Sequence, residues 1–224
     1  VLSGVFAMQT ELRAFRPLRE KGAPRLNLLI TSIGVTLLVE NAIVVFVSPG
    51  FHVFPKVLPG TPINLSGVVF PPVDLLLVAG SSILMLALSY FVNRTLTGLS
   101  IKAVALDRDA AALMGINVGR TISITFFIAG LMASMAGILV GMKFSVNPSL
   151  GGLFGLKSFA ASVVGGIGSV PGAYLGGYLI GFLETLGAGY VSSNYKDAID
   201  FVLLVLVLLF KPSGLLGKGT QEKV

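Results

Sequence analysis

Long apolar runs constrain the fold of this chain more than any other feature of its 224 residues. The runs at 27–47, 73–93 and 121–142 each approach the roughly 20 apolar residues that a helix needs to cross a bilayer. Only 12% of the residues are charged, against about 25% in an ordinary soluble domain. The sequence therefore predicts an all-α fold, in the form of a polytopic bundle of membrane helices.

Three shorter apolar runs follow in the C-terminal third of the chain. We predict spans at 172–190 and 198–211, preceded by a short apolar segment at 156–168. At a rise of about 1.5 Å per residue, the short segment cannot cross a hydrocarbon core about 30 Å thick. It is therefore predicted to be a re-entrant or half-span helix that pairs with the run after it.

The residue inventory excludes several classes of function. The chain has no cysteine, which removes disulfides, thiol catalysis and cysteine metal sites, and the single His52 leaves no histidine pair for a metal. The glycine-rich segments 152–158 and 214–220 both fail the P-loop pattern for ATP binding. No cluster of catalytic residues is recognisable. We predict a membrane protein that is not an enzyme, has no cofactor, and contacts lipid but no nucleic acid.

The basic residues predict how the chain is oriented. Twelve of the sixteen Lys and Arg residues lie in three segments, namely 11–25, the loop 94–120 and the tail from Lys211. Loops rich in Lys and Arg stay preferentially on the cytoplasmic side of a membrane. We therefore expect the loop 94–120 and the C-terminus to be cytoplasmic, and the loop 48–72, which is rich in Pro and Gly, to be external.

The N-terminal stretch 1–9 is apolar but far too short to cross a bilayer. We expect it to be the end of a helix whose beginning is missing, and a short interfacial helix is the alternative. The basic segment 11–25 then contains Pro17 and Pro24, which are expected to break any regular helix.

The loop 94–120 carries the signals of a short helix. Asp107 is a suitable N-cap, residues 108–114 are good helix formers, and Gly115 stands where a helix commonly ends in a left-handed turn. A helix of about two turns is marginal alone in water, so it must gain stability from packing. The residues expected to pack are those at helical spacing, Ala110, Leu113 and Met114. The alternative is a solvated connector.

Residues in and after this loop carry a family resemblance. In chain order they are Thr97-Gly98, Lys102-Ala103, Ala105, Asp107, Ala111, Leu113, Gly115-Ile116-Asn117-Val118, Phe127, Gly130, Ala133 and Ala136-Gly137. The pattern continues in the glycine-rich turn 165–173 and in the last apolar run with its tail, 195–217. The chain resembles the branched-chain amino-acid permeases of ATP-binding-cassette importers over nearly its whole length, least in the loop 48–72.

The resemblance implies one transmembrane permease domain over 1–224, lacking the N-terminal helices of the family, in the inner membrane. It implies that an ATPase grips the short helix through Asp107, Arg108, Ala111, Leu113, Met114, Gly115 and Ile116. The implied partners are a second homologous permease subunit, two cytoplasmic ATP-binding subunits and an external solute-binding protein. The implied solute is a branched-chain or other hydrophobic amino acid. The alternatives are a urea or short-amide permease and an ion-coupled secondary transporter.

Two acidic residues lie within apolar runs. An ionised carboxylate there costs several kcal/mol unless it is paired or hydrated, so we expect Glu40, beside Asn41, and Glu184 to face the pathway or a subunit interface. The alternative is a hydrogen bond between helices that only fixes their packing. Neither acid has a charged partner in its own span, so a partner must come from another helix or subunit.

The glycines Gly165, Gly166 and Gly168 are assigned to the same pathway or interface. Glycine permits close approach of backbones and positive φ, which a broken helix lining a pathway requires. Tight packing alone is the alternative. A dinucleotide-binding fingerprint is excluded because Pro171 stands where the third glycine should be.

Overall fold

The structure, a computed structural model, is built almost entirely of helices and describes residues 1–47, 49–54, 63–65, 68–190, 192, 196–211 and 213–217. In chain order the elements are α1 (Leu2–Thr10), a π-helical segment (Glu11–Phe15), α2 (Arg16–Glu20), α3 (Arg25–Phe46), β1 (Ile63–Leu65), β2 (Val68–Phe70), α4 (Pro72–Arg94), α5 (Leu96–Leu106), α6 (Arg108–Leu113), α7 (Val118–Lys143), α8 (Leu150–Gly165), α9 (Val170–Tyr190) and α10 (Lys196–Phe210). The prediction of an all-α membrane fold is confirmed.

Packing divides the chain into two compact units, Val1–Leu150 and Gly151–Val224. The first unit contains α1 to α7 and the β1–β2 hairpin, and nearly all of α8 lies with α9 and α10 in the second. The assignment of residues 1–224 to a single permease domain remains a prediction.

The N-terminal segment is helical from Leu2 to Glu20, which corrects the expectation that Pro17 breaks it. Pro17 stands in the first turn of α2, directly after the π-helical segment. That segment already interrupts the α-helical hydrogen-bond ladder, so the missing N–H of Pro17 falls at a junction rather than inside a helix. Only after Gly22, with φ of +64°, does the chain turn into α3.

Helix α1 packs closely on α7 through glycine. A Cβ placed on Gly130 would lie 2.7 Å from Ala7 Cβ, and one on Gly4 would lie 2.9 Å from the carbonyl oxygen of Phe127. Both distances are too short for a real Cβ atom, so the two helices can approach this closely only because Gly4 and Gly130 have no side chain. The segment before the first long run is therefore part of the helical packing of the first unit.

Three helices among the described residues are long and apolar enough to cross a membrane, namely α3, α4 and α7. Asp74 in the first turn of α4 forms an ion pair of 2.7 Å with Lys143, the last residue of α7, so these two helices run antiparallel. Helix α3, like α4, has none of its apolar window buried within the chain. Lipid or another chain must cover its surface.

Helices α8 and α9 form a bent pair. Their axes turn through 114° across the break after Gly165, as in a broken span or a re-entrant loop. Helix α8 begins at Leu150, which corrects the predicted start at 156. Glycines in 151–155 suggest a turn, but in apolar surroundings the backbone must satisfy its own hydrogen bonds, and a helix does so. The sixteen residues of α8 reach about 24 Å, still short of a full crossing.

The C-terminal tail closes the end of α8. The backbone N–H groups of Leu215 and Leu216 donate to the carbonyl oxygens of Val164 and Gly165, both at 2.9 Å. These carbonyl groups belong to the last turn of α8, where no partner exists within the helix. The tail therefore supplies the hydrogen bonds that the end of α8 lacks.

The loop between α3 and α4 contains some regular structure that the sequence analysis did not predict. β1 and β2 pair antiparallel, with Asn64 opposite Val69. His52 exchanges two backbone hydrogen bonds of 2.8 Å with Val146, beyond the end of α7. The remainder of the predicted loop, at 48, 55–62 and 66–67, lies outside the described residues.

Candidate functional site

The loop between α4 and α7 is more helical than the sequence analysis predicted. Helix α5 precedes the short helix and is capped by Thr95, whose Oγ1 accepts from the N–H of Gly98 at 3.0 Å. Gly98 lies against the backbone of Phe91 and Val92, leaving no room for a side chain. The sharp bend from α4 into α5 depends on that contact, which the sequence pattern alone did not reveal.

The start and end of α6 are fixed as predicted. Asp107 Oδ1 accepts hydrogen bonds from the N–H groups of Asp109 and Ala110 at 2.9 Å and 3.0 Å, which confirms the N-cap. Gly115 has φ of +83°, which confirms the left-handed turn. The hydrogen bonds from Gly115 to Ala112 and from Ile116 to Ala111 form a Schellman motif. Six helical residues are thus held in one geometry at both ends.

The residues expected to pack, Ala110, Leu113 and Met114, do not pack within their own chain, and their packing against a partner stays a prediction. Ala111 is only 4% exposed and is the residue that packs inward, whereas Ala110 is exposed. Leu113 is 89% exposed and Met114 83% exposed, so both side chains project away from their own chain. Two large apolar side chains on a rigidly capped tip form a surface suited to contact with another protein. We call Leu113 and Met114 the apolar tip.

A buried ion pair near this loop was missed by the sequence analysis. Glu11 is 0% exposed, and its carboxylate accepts from Arg19 Nη2 at 2.8 Å and from Ser123 Oγ at 2.6 Å. The carboxylate therefore ties the N-terminal segment to the first turns of α7. The sequence analysis assigns no partner to Glu11, because Ser123 is 112 residues away along the chain.

Glu40 and Asn41 lie on the uncovered helix α3. Asn41 Nδ2 donates to the carbonyl oxygen of Leu37 at 2.7 Å, within its own helix. No hydrogen bond or ion pair joins Glu40 to any other residue that the structure describes. Glu40 therefore has no counter-charge among the described residues. The prediction that Glu40 faces the pathway or a partner subunit remains open.

Changing Glu40 tests these two roles. If its charge matters, Glu40→Gln should lower transport while the subunit still assembles, because the amide keeps the shape and one acceptor. If the role is only packing, Glu40→Gln should be nearly silent and Glu40→Leu should reduce assembly. Thr36→Val, which removes another polar group from the same helix, is the matched control. Full transport by Glu40→Leu would remove Glu40 from both roles. Solute uptake and recovery of the assembled complex are the measurements.

Glu184 belongs to a group of three charged side chains from three helices, which we call the charge cluster. Lys157 Nζ on α8 lies 3.0 Å from Glu184 Oε1 on α9 and 3.3 Å from Asp200 Oδ2 on α10. Asp200 is 2% exposed, and the other two side chains are largely buried. The partner of Glu184 thus comes from another helix, as expected. The sequence analysis singles out neither Lys157 nor Asp200.

The glycines of the α8–α9 turn pack tightly. Gly166 and Gly168 have φ of +110° and +90°, so the expected left-handed backbone is confirmed. A Cβ on Gly165 would overlap the backbone of Gly172, and a Cβ on Gly166 would overlap the backbone of Gly217. These contacts support the packing role, and a pathway role remains a prediction.

Comparisons with known proteins identify the family. Residues 1–208 match the family described as branched-chain amino acid transport system / permease component. The chain belongs to this permease family. It is 39% identical over 229 residues to the high-affinity branched-chain amino acid transport system permease protein BraD of Pseudomonas aeruginosa, covering 100% of this chain and 74% of that protein.

Two further relatives are also permease proteins. The permease protein LivH of the corresponding Escherichia coli K12 system is 36% identical over 230 residues, covering 100% of this chain and 74% of the relative. The ribose import permease protein RbsC of the same organism is 32% identical over 157 residues, covering 66% and 44%. No solved structure matches the chain.

Proposed function

We propose that this chain is the membrane permease subunit of an ATP-driven importer of branched-chain amino acids. The relatives that cover the whole chain are named for that transport, which supports the solute class over urea, amides or ribose. A second permease subunit, two ATP-binding subunits and an external solute-binding protein would complete the importer.

The apolar tip is the observation that supports docking of this permease subunit to a separate ATPase. The capped helix α6 presents Leu113 and Met114 away from the chain, and Arg108 and Asp109 are exposed beside them. A rigid tip of this kind can transmit motion from an ATPase because its two caps prevent it from rearranging independently. Ala111 would hold α6 against its own chain, and Gly115 and Ile116 would fix the C-terminal end of that helix.

Purification of the complex tests the proposal. The tagged chain is extracted in mild detergent together with its natural partners, and the co-purifying subunits are identified. Co-purification of an ATPase whose hydrolysis is stimulated by leucine-loaded binding protein is the expected result. Uptake that persists without ATP and collapses with the proton gradient would instead support the ion-coupled alternative.

The proposed orientation is tested by cysteine labelling. The chain contains no cysteine, so each introduced thiol is unique. We expect Asp109→Cys to be shielded from an impermeant maleimide in intact cells and labelled after permeabilisation, and His52→Cys to be labelled in intact cells. Both parent side chains are exposed. The reverse pattern would contradict an inner-membrane protein whose coupling loop is cytoplasmic.

A further inference from the structure

The first unit contains a cavity beside the short helix α6. Its volume is about 320 Å³, at the lower end of the range of ligand pockets. It lies between the N-terminal segment and helices α3, α5, α6 and α7. The lining residues are Phe15, Arg19, Leu28, Ile101, Val104, Ala105, Arg108, Thr121, Ile122, Thr125 and Phe126.

The charged lining of the cavity has one sign. Its charged residues are Arg19 and Arg108, and no carboxylate is among its lining residues. Arg19 donates from Nη2 to buried Glu11, which leaves other N–H groups of its guanidinium for a ligand, whereas Arg108 has no hydrogen bond or ion pair with the residues that the structure describes. The hydroxyl groups of Thr121 and Thr125 already donate to carbonyl groups of their own helix. The arginines are therefore the charged side chains available to an anion, and the lining has no carboxylate to pair with the ammonium group of a zwitterion.

The remaining lining is mostly apolar. Phe15 and Phe126 form a tilted ring pair with centroids 5.5 Å apart, and aliphatic side chains of α5 and α7 continue that wall. Leu28 connects the cavity to α3, whose neighbouring Leu29 and Ile30 are exposed. An apolar surface thus runs from the arginines onto the side of a membrane helix. A ligand that fits both parts has an anionic head and a long apolar tail.

We propose that this cavity binds an anionic phospholipid, with its phosphate at Arg108 and Arg19 and one acyl chain along Phe15, Ile101 and Leu28. Anionic lipids of the cytoplasmic leaflet are recognised by basic pockets between membrane helices. The inference rests on the proposed function for the cytoplasmic position of α6. Because Arg108 is the first residue of α6, the bound lipid would contact the coupling helix directly. The lipid would then restrict the same helix that the ATPase is proposed to grip.

Native mass spectrometry of the purified full chain in detergent tests the proposal. Dioleoyl phosphatidylglycerol and dioleoyl phosphatidylcholine are titrated separately, so that only the headgroup differs. We expect preferential binding of phosphatidylglycerol, weakened about fivefold by Arg108→Gln, which is the contribution of one basic residue at a membrane surface. Arg120→Gln removes an exposed arginine that does not line the cavity, and it should leave binding unchanged.

A second variant tests the acyl-chain contact without changing charge. Ala105 is exposed and lines the cavity, so Ala105→Leu should fill it and weaken phosphatidylglycerol binding without overpacking the core. Equal binding of the two lipids, an equal loss in Arg120→Gln, or unchanged binding by Ala105→Leu would each overturn the proposal. Competition by inorganic phosphate alone would likewise show that the site holds a free anion instead. Binding is measured without transport, so these outcomes are independent of the test by ATPase co-purification.

Discussion

Lys157→Met is expected to destabilise the second unit by about 3 kcal/mol, since removing one member of a buried ion cluster leaves the others uncompensated. Glu184 and Asp200 both lie within 3.3 Å of the same ammonium group, so the variant retains two carboxylates and loses their shared cation. The expected result is a lower midpoint for thermal loss of monodisperse protein in detergent. Fluorescence-detected size-exclusion chromatography of a tagged chain measures it.

A triple variant that removes all three charges of the cluster should restore most of the stability lost in Lys157→Met. In Lys157→Met/Glu184→Met/Asp200→Leu every charge is gone, and replacement of a buried ion network by apolar side chains of similar volume is often close to neutral in stability. Lys143→Met is the matched control, because it breaks the half-exposed pair with Asp74 and should cost less than about 1 kcal/mol. Equal thermal midpoints for Lys157→Met and wild type would show that the cluster contributes nothing to packing.

The triple variant also separates packing from transport. If the charge cluster only joins α8, α9 and α10, a stable triple variant should transport solute normally. If its charges contact the solute or guide a conformational change, uptake should fall although the complex assembles and binds its ATPase. Normal uptake would remove Glu184 from the predicted pathway residues.

Features specified by neighbouring residues could be predicted from the sequence. The N-cap at Asp107 and the left-handed Gly115 each depend on a few adjacent backbone groups, and both were placed correctly. The long spans follow from apolar length alone, since a membrane leaves the backbone no other partner than itself.

Features that depend on distant contacts could not be predicted in the same way. Glu11 and Ser123 meet only when α1 packs on α7, and Lys157 meets Asp200 only when α10 returns to α8. A signal for the second contact was nonetheless present, because three apolar runs near the C-terminus each hold an ionisable residue that requires a partner. Which surface covers the apolar tip could not be predicted from the sequence either, since helical spacing does not distinguish packing within a chain from packing against another chain.

Leu113→Asp is expected to weaken association with the ATPase at least about tenfold, because docking would bury an unpaired charge. The side chain is exposed in the isolated chain, so the variant should fold and insert normally. Leu96→Asp, which changes another exposed leucine at the start of α5, is the matched control. Co-purification of the ATPase and hydrolysis stimulated by leucine-loaded binding protein are the measurements.

Gly115 tests whether the shape of the tip matters as well as its chemistry. A β-branched residue at φ of +83° is a steric outlier, so Gly115→Val should cost about 1–3 kcal/mol locally and tilt or fray the end of α6. No atom lies within 4 Å of the position of a new Cβ, so the backbone conformation and not crowding causes the effect. Asn tolerates this conformation, and Gly115→Asn should keep most of the coupling. Loss of coupling in Gly115→Val but not in Gly115→Asn would show that coupling to the ATPase depends on the orientation of Leu113 and Met114. Equal, normal coupling in both variants and in Leu113→Asp would leave the loop as a solvated connector and contradict its proposed role.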